Sequence, residues 1–515
     1  METLSPKRLY WTLGALLVGL FLASLDQTIV STALPTIVQK LGGLEHISWV
    51  FTAYMLTSTA IMPIVGKLSD MYGRKAFYMT GLLVFLIGST LCGASQSMAQ
   101  LIAFRGLQGI GGGMMAANTF TLLFTLMPIE KIARVQALFM SVLAMSSVLG
   151  PSIGAFITSN WDWRMNFFIN APLGLVALIV LGLAMTEKKP DKTIRLKIDY
   201  TGAVLLVTST VSFLLALKMG GTNYAWSSWE IIGLFALGAV ALTAFLLVER
   251  RAAEPILPLG MFKNRTVAGT ASVTFVQGIV LYGAMLYIPI FVQGGMGGDA
   301  TDAGNAMTPM MLAVMAGASL SSILMRMLTW RASALLSMVI AGAGLYIITL
   351  LPLEADKWAI RSDMALIGLG IGILMPIAQT AVSTSVDPRF QGVANSTVTF
   401  ARNVGGVLGS AIMAAVVNRH MTSSINSHIQ QLGLPPDQLK LLSNPEVLLQ
   451  SEGKAPAAVV AMMKNVLADA IHVGFWFLVI AALVGIAAAS FMGRARYMKK
   501  VSGHAEQSSS TSSLH

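Results

Sequence analysis

Charged residues are scarce in this chain of 515 residues, because Asp, Glu, Lys and Arg together make up only 11% of it. Soluble domains carry about 25% of these four residues. Hydrophobic residues account for 55% of the chain, and the mean hydropathy is +0.72. The composition therefore excludes an ordinary soluble domain and indicates a membrane protein with many spans.

Cysteine is almost absent. A single residue, Cys92, excludes an internal disulfide and a cysteine-rich metal site. The six histidines lie outside the apolar segments or at their ends, without the spacing of metal ligands. A P-loop is missing too, so ATP hydrolysis is not the predicted energy source. The net charge of +11 is spread along the chain rather than concentrated in one domain, which argues against a nucleic-acid partner. We expect no enzyme activity, no metal and no cofactor.

Fourteen apolar segments are each close to the ~20 residues that a bilayer core requires. They cover approximately residues 10–33, 47–66, 76–96, 99–125, 135–158, 165–186, 198–218, 230–249, 266–293, 303–325, 332–352, 362–385, 394–418 and 470–493.

Lysine and arginine are distributed unevenly between these segments. The connections on the side of the N-terminus hold 23 of them, and those on the opposite side hold nine. Basic residues stay in the cytoplasm, so both termini are predicted to be cytoplasmic and the number of spans even. The only long connection, 420–468, is then external, and the low-complexity tail 501–515 is predicted to be disordered.

Three charged residues lie inside the apolar segments rather than at their ends: Asp26, Arg105 and Arg402. Asp26 lies in the first, where an ionised group costs roughly 2.5–3.5 kcal/mol and usually serves a function. We predict that it faces a central cavity and handles protons, cationic substrate or both; alternatively, it reaches water or an amide near the outer end of the helix. Arg105 in the fourth segment is always charged and needs a carboxylate, carbonyls or water. Alternatively, the Arg105 side chain extends to the outer surface of the membrane, because the residue lies only a few positions inside its segment.

The connection between the second and third segments reads Gly66-Lys-Leu-Ser-Asp70-Met-Tyr-Gly73-Arg74-Lys75. Gly73 permits a tight turn, and the charges form either a cluster at the cytoplasmic face or a topology anchor. The string resembles the signature loop of the major facilitator superfamily. This resemblance implies a cytoplasmic gate in which Asp70 contacts the N-terminus of a helix from the opposite half. Asp70, Gly73 and Arg74 are expected to form a latch that breaks during alternating access.

Other strings resemble further motifs of that superfamily. Arg105 followed by Gly-Leu-Gln108 is similar to its fourth-helix motif, which the family links to proton transfer. Gly150-Pro151-Ser-Ile-Gly154 is similar to the kinked signature of its proton-driven exporters, although Ser146 and Ala155 replace two glycines.

Three strings resemble motifs of the fourteen-span drug:proton antiporters, and the likeness covers nearly all of 10–495. They are Leu25–Pro35, Trp163–Gly174 and Arg402–Gly409. The connection Arg326–Arg331 departs from the family, because it lacks the Asp and Gly of a second signature loop. We therefore expect the first half of the chain to carry the latch.

The resemblance implies an all-α fold of two pseudo-symmetric six-helix halves, 1–197 and 250–500, with an extra helix pair at 198–249 and a site near the bilayer midplane. It also implies a monomer in a bacterial-type inner membrane, where the proton gradient drives export of amphipathic, often cationic drugs. A narrow exporter of an endogenous metabolite or antibiotic is the alternative, and a channel or sensor is a third class. Participation of a periplasmic adaptor is left open by the sequence.

Candidate cavity residues come from aromatic, methionine and motif positions. Tyr54 suits stacking on a ligand cation, or anchoring at the membrane interface. A methionine cluster offers polarizable thioethers for promiscuous binding, or ordinary packing. The methionine cluster consists of Met307, Met310 and Met311. The remaining candidates, Arg402 and Asn403, belong to the string Arg402–Gly409.

Overall fold

The computed structural model describes residues 5–42, 46–127, 129–187, 198–221, 223–298, 300–352, 357–432 and 457–495, and this part of the chain is almost wholly helical. The helices are α1 (Pro6–Leu41), α2 (Ile47–Tyr72), α3 (Arg74–Ala94), α4 (Met98–Leu126), α5 (Ile129–Asn160), α6 (Met165–Phe168), α7 (Asn170–Ala184), α8 (Tyr200–Met219), α9 (Trp229–Glu249), α10 (Arg265–Ile290), α11 (Ala300–Met327), α12 (Trp330–Thr349), α13 (Lys357–Ser385), α14 (Gln391–Leu432) and α15 (Ala457–Ser490).

Thirteen helical segments of the described residues are long and apolar enough to cross a membrane, with α6 and α7 counted as one. This confirms the predicted all-α, multi-pass membrane fold. The predicted fifth span lies within α5, a helix of 32 residues that is not among the thirteen. The count of fourteen and the cytoplasmic termini stay predictions.

Three regions of the predicted topology lie wholly or partly outside the described residues. They are the basic run Lys188–Lys197, most of the connection 420–468 and the tail 501–515. At the edges of that connection, α14 continues to Leu432 and α15 begins at Ala457. Helix therefore enters the predicted connection from both sides.

Local sequence signals explain where several helices begin. Ser97, Ser228 and Thr329 accept hydrogen bonds from backbone N–H groups in the first turns of α4, α9 and α12. Such caps satisfy donors that the helix leaves free. Between α2 and α3, Gly73 has a φ of +109°, a conformation that side chains rarely adopt. The predicted tight turn is confirmed.

The chain divides into two compact units. The first comprises Met1–Ala271 and Ala378–Asn403, and the second comprises Ser272–Ile377 and Val404–His515. In the first unit, α1 packs against α5 and α7, while α4 packs against both α2 and α3. Glycine permits this closeness: a Cβ at Gly111 would lie 2.3 Å from the Phe85 nitrogen. Helices α8 and α9, the predicted extra pair, contact each other, and α8 also contacts α2.

The second unit has its own apolar core, in which α12 packs against α15. Phe291 is fully buried there, and its ring centroid lies 5.1 Å from that of His472 and 5.7 Å from that of Phe475. His472 was predicted at the end of a span, but α15 begins at Ala457, so this histidine lies inside a helix.

Candidate functional site

Asp26 and Arg105 form an ion pair inside the first unit. Arg105 Nη1 on α4 donates to Asp26 Oδ2 on α1 at 2.5 Å, and both side chains are 0% exposed. Arg105 Nε donates to the Val50 carbonyl at 3.2 Å, and the guanidinium lies 4.6 Å from the Tyr54 ring centroid. Arg105 therefore points inward, not toward the outer surface.

Two buried amides complete the coordination of the carboxylate. Gln108 Nε2 donates to Asp26 Oδ1 at 2.8 Å, while Gln108 Oε1 accepts from Arg105 Nη1 at 2.9 Å. Asn170 Nδ2 donates to the same Asp26 oxygen at 3.1 Å and to Ser89 Oγ at 3.0 Å. Both amide hydrogens of Asn170 are thus in use. Asp26 connects α1 to α4 and α7.

A break between α6 and α7 positions Asn170. Pro172 lacks an N–H, and its ring is incompatible with the carbonyl four residues earlier, at Phe168, where α6 ends. Asn170 consequently starts α7. Ser89 is held in turn by its donation to the Phe167 carbonyl at 2.8 Å. The string Trp163–Gly174 contained Asn170 without revealing its role, and no sequence signal indicated Ser89.

Asp26 is 0% exposed in this structure, so its predicted position in a central cavity stays a prediction. Its carboxylate is fully shielded, because Arg105 occupies the space beside it and neutralises its charge. Among the described residues, Arg105 Nη2 alone of that side chain's nitrogens has no hydrogen-bond partner. Breaking a buried ion pair by removing one partner typically costs about 3–5 kcal/mol. Uptake of a proton by Asp26 similarly leaves Arg105 without its counter-charge.

A second charged cluster joins α2, α3 and the start of α14. Asp70 accepts hydrogen bonds from the backbone N–H groups of Gly392 and Val393, each at 3.0 Å. Arg74 Nη2 donates to Asp70 Oδ1 at 2.8 Å. The carboxylate thus satisfies free donors at a helix N-terminus, where negative charge is stabilising. This is the contact that the family resemblance implied for Asp70, and its opening during transport stays a prediction.

Glycines make this contact geometrically feasible. A Cβ at Gly392 would lie 2.5 Å from Asp70 Oδ1, and one at Gly66 would lie 2.8 Å from the Gly392 carbonyl oxygen. Real Cβ atoms do not approach other atoms this closely. Gly66 therefore belongs with Asp70, Gly73 and Arg74 in what we call the latch.

Lys75, the fifth predicted gate residue, contacts a different helix. Its Nζ donates to the Gly182 carbonyl at 2.9 Å and to the Met185 carbonyl, at the end of α7. In return, the Glu187 carboxylate accepts the backbone N–H groups of Arg74 at 2.8 Å and Lys75 at 2.9 Å. The Lys75 ammonium thus compensates the C-terminal end of α7, and the Glu187 carboxylate compensates the N-terminal end of α3. Lys75 fastens α3 to α7, and no sequence signal indicated Glu187.

The exporter-like string Gly150–Gly154 on α5 lies against α1. The residues of α1 that it contacts are Thr28 and Ile29, which follow Asp26 closely in the sequence. A Cβ at Gly150 would lie 1.9 Å from Thr28 Oγ1, and one at Gly154 would lie 2.6 Å from the Ile29 carbonyl oxygen. The helix continues through Pro151. These glycines let α5 approach the helix that carries Asp26, whereas their role in the direction of transport stays a prediction.

The candidate cavity residues are dispersed. Tyr54 is 3% exposed and lies against the Arg105 guanidinium, and Met310 is 0% exposed in the core of the second unit. Neither lines an open surface in this conformation, because packing covers both. The other four are partly buried or, for Arg402, 7% exposed: Met307, Met311, Arg402 and Asn403. Within the described ranges, no group of three or more His, Cys, Asp and Glu side chains is arranged to hold a metal ion.

Comparison with known proteins places these features in a family. Residues 16–410 match the model of the Major Facilitator Superfamily. Two relatives from Bacillus subtilis (strain 168) align over most of both chains. Multidrug transporter protein MdtP is 37% identical over 490 residues, covering 91% of this chain and 90% of the relative. Multidrug resistance protein 3 is 36% identical over 485 residues, covering 93% and 94%.

Solved structures share the fold at low sequence identity. The human organic anion transporter MFSD10 (TETRAN) matches with a TM-score of 0.63 and 13% identity, over 94% of this chain and 100% of that one. A bacterial homologue of the human lysosomal transporter Spinster, in an inward-facing conformation, matches with a TM-score of 0.58 and 17% identity, over 96% and 100%. The chain belongs to the Major Facilitator Superfamily, as its signature loop and helical fold predicted.

Proposed function

We propose that this protein is a proton-coupled antiporter of the cell membrane that exports amphipathic, often cationic drugs. The buried Asp26–Arg105 pair is the observation that carries the proposal, since an ionisable group inside a membrane segment is expensive to keep without a function. The names of the two Bacillus relatives, a multidrug transporter and a multidrug resistance protein, support drugs as the cargo. The similarity of Gly150–Gly154 to an exporter signature supports outward transport.

Proton binding changes the contacts of Asp26. Addition of a proton to a carboxylate oxygen yields a neutral acid, so Arg105 loses its counter-charge while remaining protonated. Interactions of Asp26 with Arg105 on α4 and with Asn170 on α7 then weaken. The loaded and unloaded states differ in interhelical contacts, as they must if a proton is to shift a conformational equilibrium. Release of the proton restores the pair.

A cationic cargo binds the same carboxylate in place of the proton. A cationic drug that approaches Asp26 competes with Arg105 and with the proton for one negative charge. Because Asp26 Oδ2 already faces Arg105 at 2.5 Å, the drug gains access only when Arg105 moves. We infer that drug binding and proton binding are mutually exclusive at Asp26, which is the requirement for exchange.

The test follows a fluorescent lipophilic cation in inverted membrane vesicles under an imposed pH gradient, with wild type and Asp26→Asn compared. Uptake by wild type alone supports coupling through Asp26. Equal uptake by both would assign the cation and proton sites to other residues. If neither moves any dye, a narrow exporter of one metabolite or antibiotic becomes the function to pursue.

A further inference from the structure

A buried lysine lies one helical turn before the latch aspartate. Lys67 on α2 has a side chain that is only 5% exposed. Its Nζ donates to Glu254 Oε2 at 2.7 Å and lies 5.7 Å from the centroid of the Phe390 ring. A shielded ammonium requires such partners, because desolvation of an unpaired charge is costly.

Glu254 belongs to the connection 250–264, which follows the extra helix pair α8–α9. Ile256 in this connection is 3% exposed and packs with Leu206 of α8 and Phe245 of α9. Ile64 of α2 packs against the same cluster. The extra pair and its connection therefore rest on the stretch of α2 that leads to Asp70.

Phe390 belongs to the segment that the latch holds. It ends the short 3-10 helix Pro388–Phe390, directly before α14. Arg74 Nη2 donates to the Pro388 carbonyl at 3.1 Å, and Asp70 accepts the N–H groups of Gly392 and Val393. Lys67, Asp70 and Arg74 thus contact consecutive parts of 388–393. The Lys67 ammonium is shared between this segment and Glu254.

We propose that Lys67 and Glu254 are positioning residues of the latch, through which the extra helix pair braces the end of α2 against α14. The ion pair fixes the Lys67 ammonium beside Phe390, while the packing of Ile64 fixes the helix that carries Asp70. Without Glu254, the ammonium must either stay buried and unpaired or turn toward water, and both outcomes displace the end of α2. The extra pair thereby stabilises the latched conformation.

The test measures latch opening without reference to cargo or coupling ion. A cysteine replaces Ser396, which is 0% exposed and whose hydroxyl lies directly against Gly66 of the latch. The rate at which a polar maleimide modifies this cysteine is measured in the purified full-length protein. The wild-type chain, whose only cysteine is the buried Cys92, is treated in the same way as the blank. Glu254→Gln and Lys67→Met are each expected to raise the rate by about fivefold or more.

The double variant Lys67→Met with Glu254→Gln separates a direct pair from two independent effects. Its rate is expected to be no higher than that of the faster single variant, because residues that act through one contact are not additive. It also removes both charges of the pair, so Lys67 leaves no unpaired ammonium, and this protects the test against misfolding of the single variants. Lys40→Met and Asp162→Asn break an exposed ion pair of 2.9 Å and are expected to leave the rate unchanged.

Two results would overturn the proposal. One is an unchanged modification rate in both single variants. The other is a double variant whose rate equals the product of the two single effects. Export of a fluorescent cation is measured in parallel, and a loss of export without faster modification would also contradict a role in the latch. Failure of the proposed drug:proton exchange leaves the modification result intact, so the two ideas are distinguished.

Discussion

Arg105 Nη1 lies 2.5 Å from Asp26 Oδ2, and neither side chain is exposed. Each residue alone is costly within a membrane segment, but together they form a neutral unit with further hydrogen bonds from Gln108 and Asn170. The pair therefore persists in the unloaded protein, and any ion or drug that acts on Asp26 must do so against Arg105.

Replacement of Asp26 by Asn is expected to reduce proton-driven export of both monovalent and divalent cations by at least about tenfold. It removes the titratable group and leaves Arg105 buried without a counter-charge, a change worth about 3–5 kcal/mol. Initial rates of dye uptake into inverted vesicles measure the effect. Asp162→Asn, which removes an exposed carboxylate, is the control and should transport normally. Full export of both cation classes by Asp26→Asn would remove this residue from the mechanism.

Asn170→Ala is expected to slow export by about tenfold or more, because Asp26 loses one donor at about 1.5–3 kcal/mol for a charged acceptor. Asn166→Ala is the matched control. Asn166 is also fully buried, but its Nδ2 donates to Thr158 Oγ1 at 2.8 Å, away from Asp26. Initial rates in vesicles and thermal unfolding in detergent are compared. Equal losses of export in the two variants at equal stability would indicate general packing instead of positioning of Asp26.

Gly392→Ala is expected to impair the latch, since the added Cβ would lie 2.5 Å from Asp70 Oδ1. Such overpacking typically lowers the free energy of unfolding by about 1–3 kcal/mol. Gly233→Ala on α9 meets nothing within 4 Å and should be neutral or slightly stabilising. Thermal unfolding of the purified variants measures the difference, and the dye assay shows whether export falls with it. Equal stability and export for the two variants would contradict the close approach at Gly392.

Asp162 provides a test of pH dependence outside the membrane spans. Its pKa is lowered from 3.8 because the Arg164 backbone N–H and the Lys40 ammonium donate to its carboxylate. A carboxylate with a lower pKa in the folded state adds stability above its unfolded pKa and loses it as the pH falls below that value. Since the pair is exposed, the contribution should be at most ~0.5 kcal/mol. Thermal unfolding of wild type and Asp162→Asn should therefore differ slightly at pH 6, and the difference should shrink as the pH falls below 3.8. A gap that widens toward low pH would have the wrong sign.

The sequence predicted the helical membrane fold and marked Asp26 and Arg105 as functional candidates, because charge in apolar surroundings is conspicuous in a single chain. Asp70 was identified by the resemblance of its loop to a family signature. It could not predict that Asp26 and Arg105 pair, since 79 residues separate them and only the packing of α1 on α4 brings them together. Ser89 and Glu187 carried no signal, because an isolated serine or glutamate is common at any position. Lys75 was assigned to the gate by its neighbours in sequence, whereas its side chain turns to α7.

The neutrality of the Asp26–Arg105 pair has a consequence for the response to membrane voltage. Opposite charges 2.5 Å apart form only a small dipole, on which the transmembrane field exerts little net force. One added proton gives the cluster a full positive charge, and carrying that charge through the whole field is worth about 2.3 kcal/mol per 100 mV. In the proposed exchange, voltage therefore acts on the proton-loaded step and hardly on the unloaded one. The net effect of voltage on the cycle then depends on the charge of the cargo: it is zero for one proton exchanged against one monovalent cation, and it favours proton entry when the cargo is neutral.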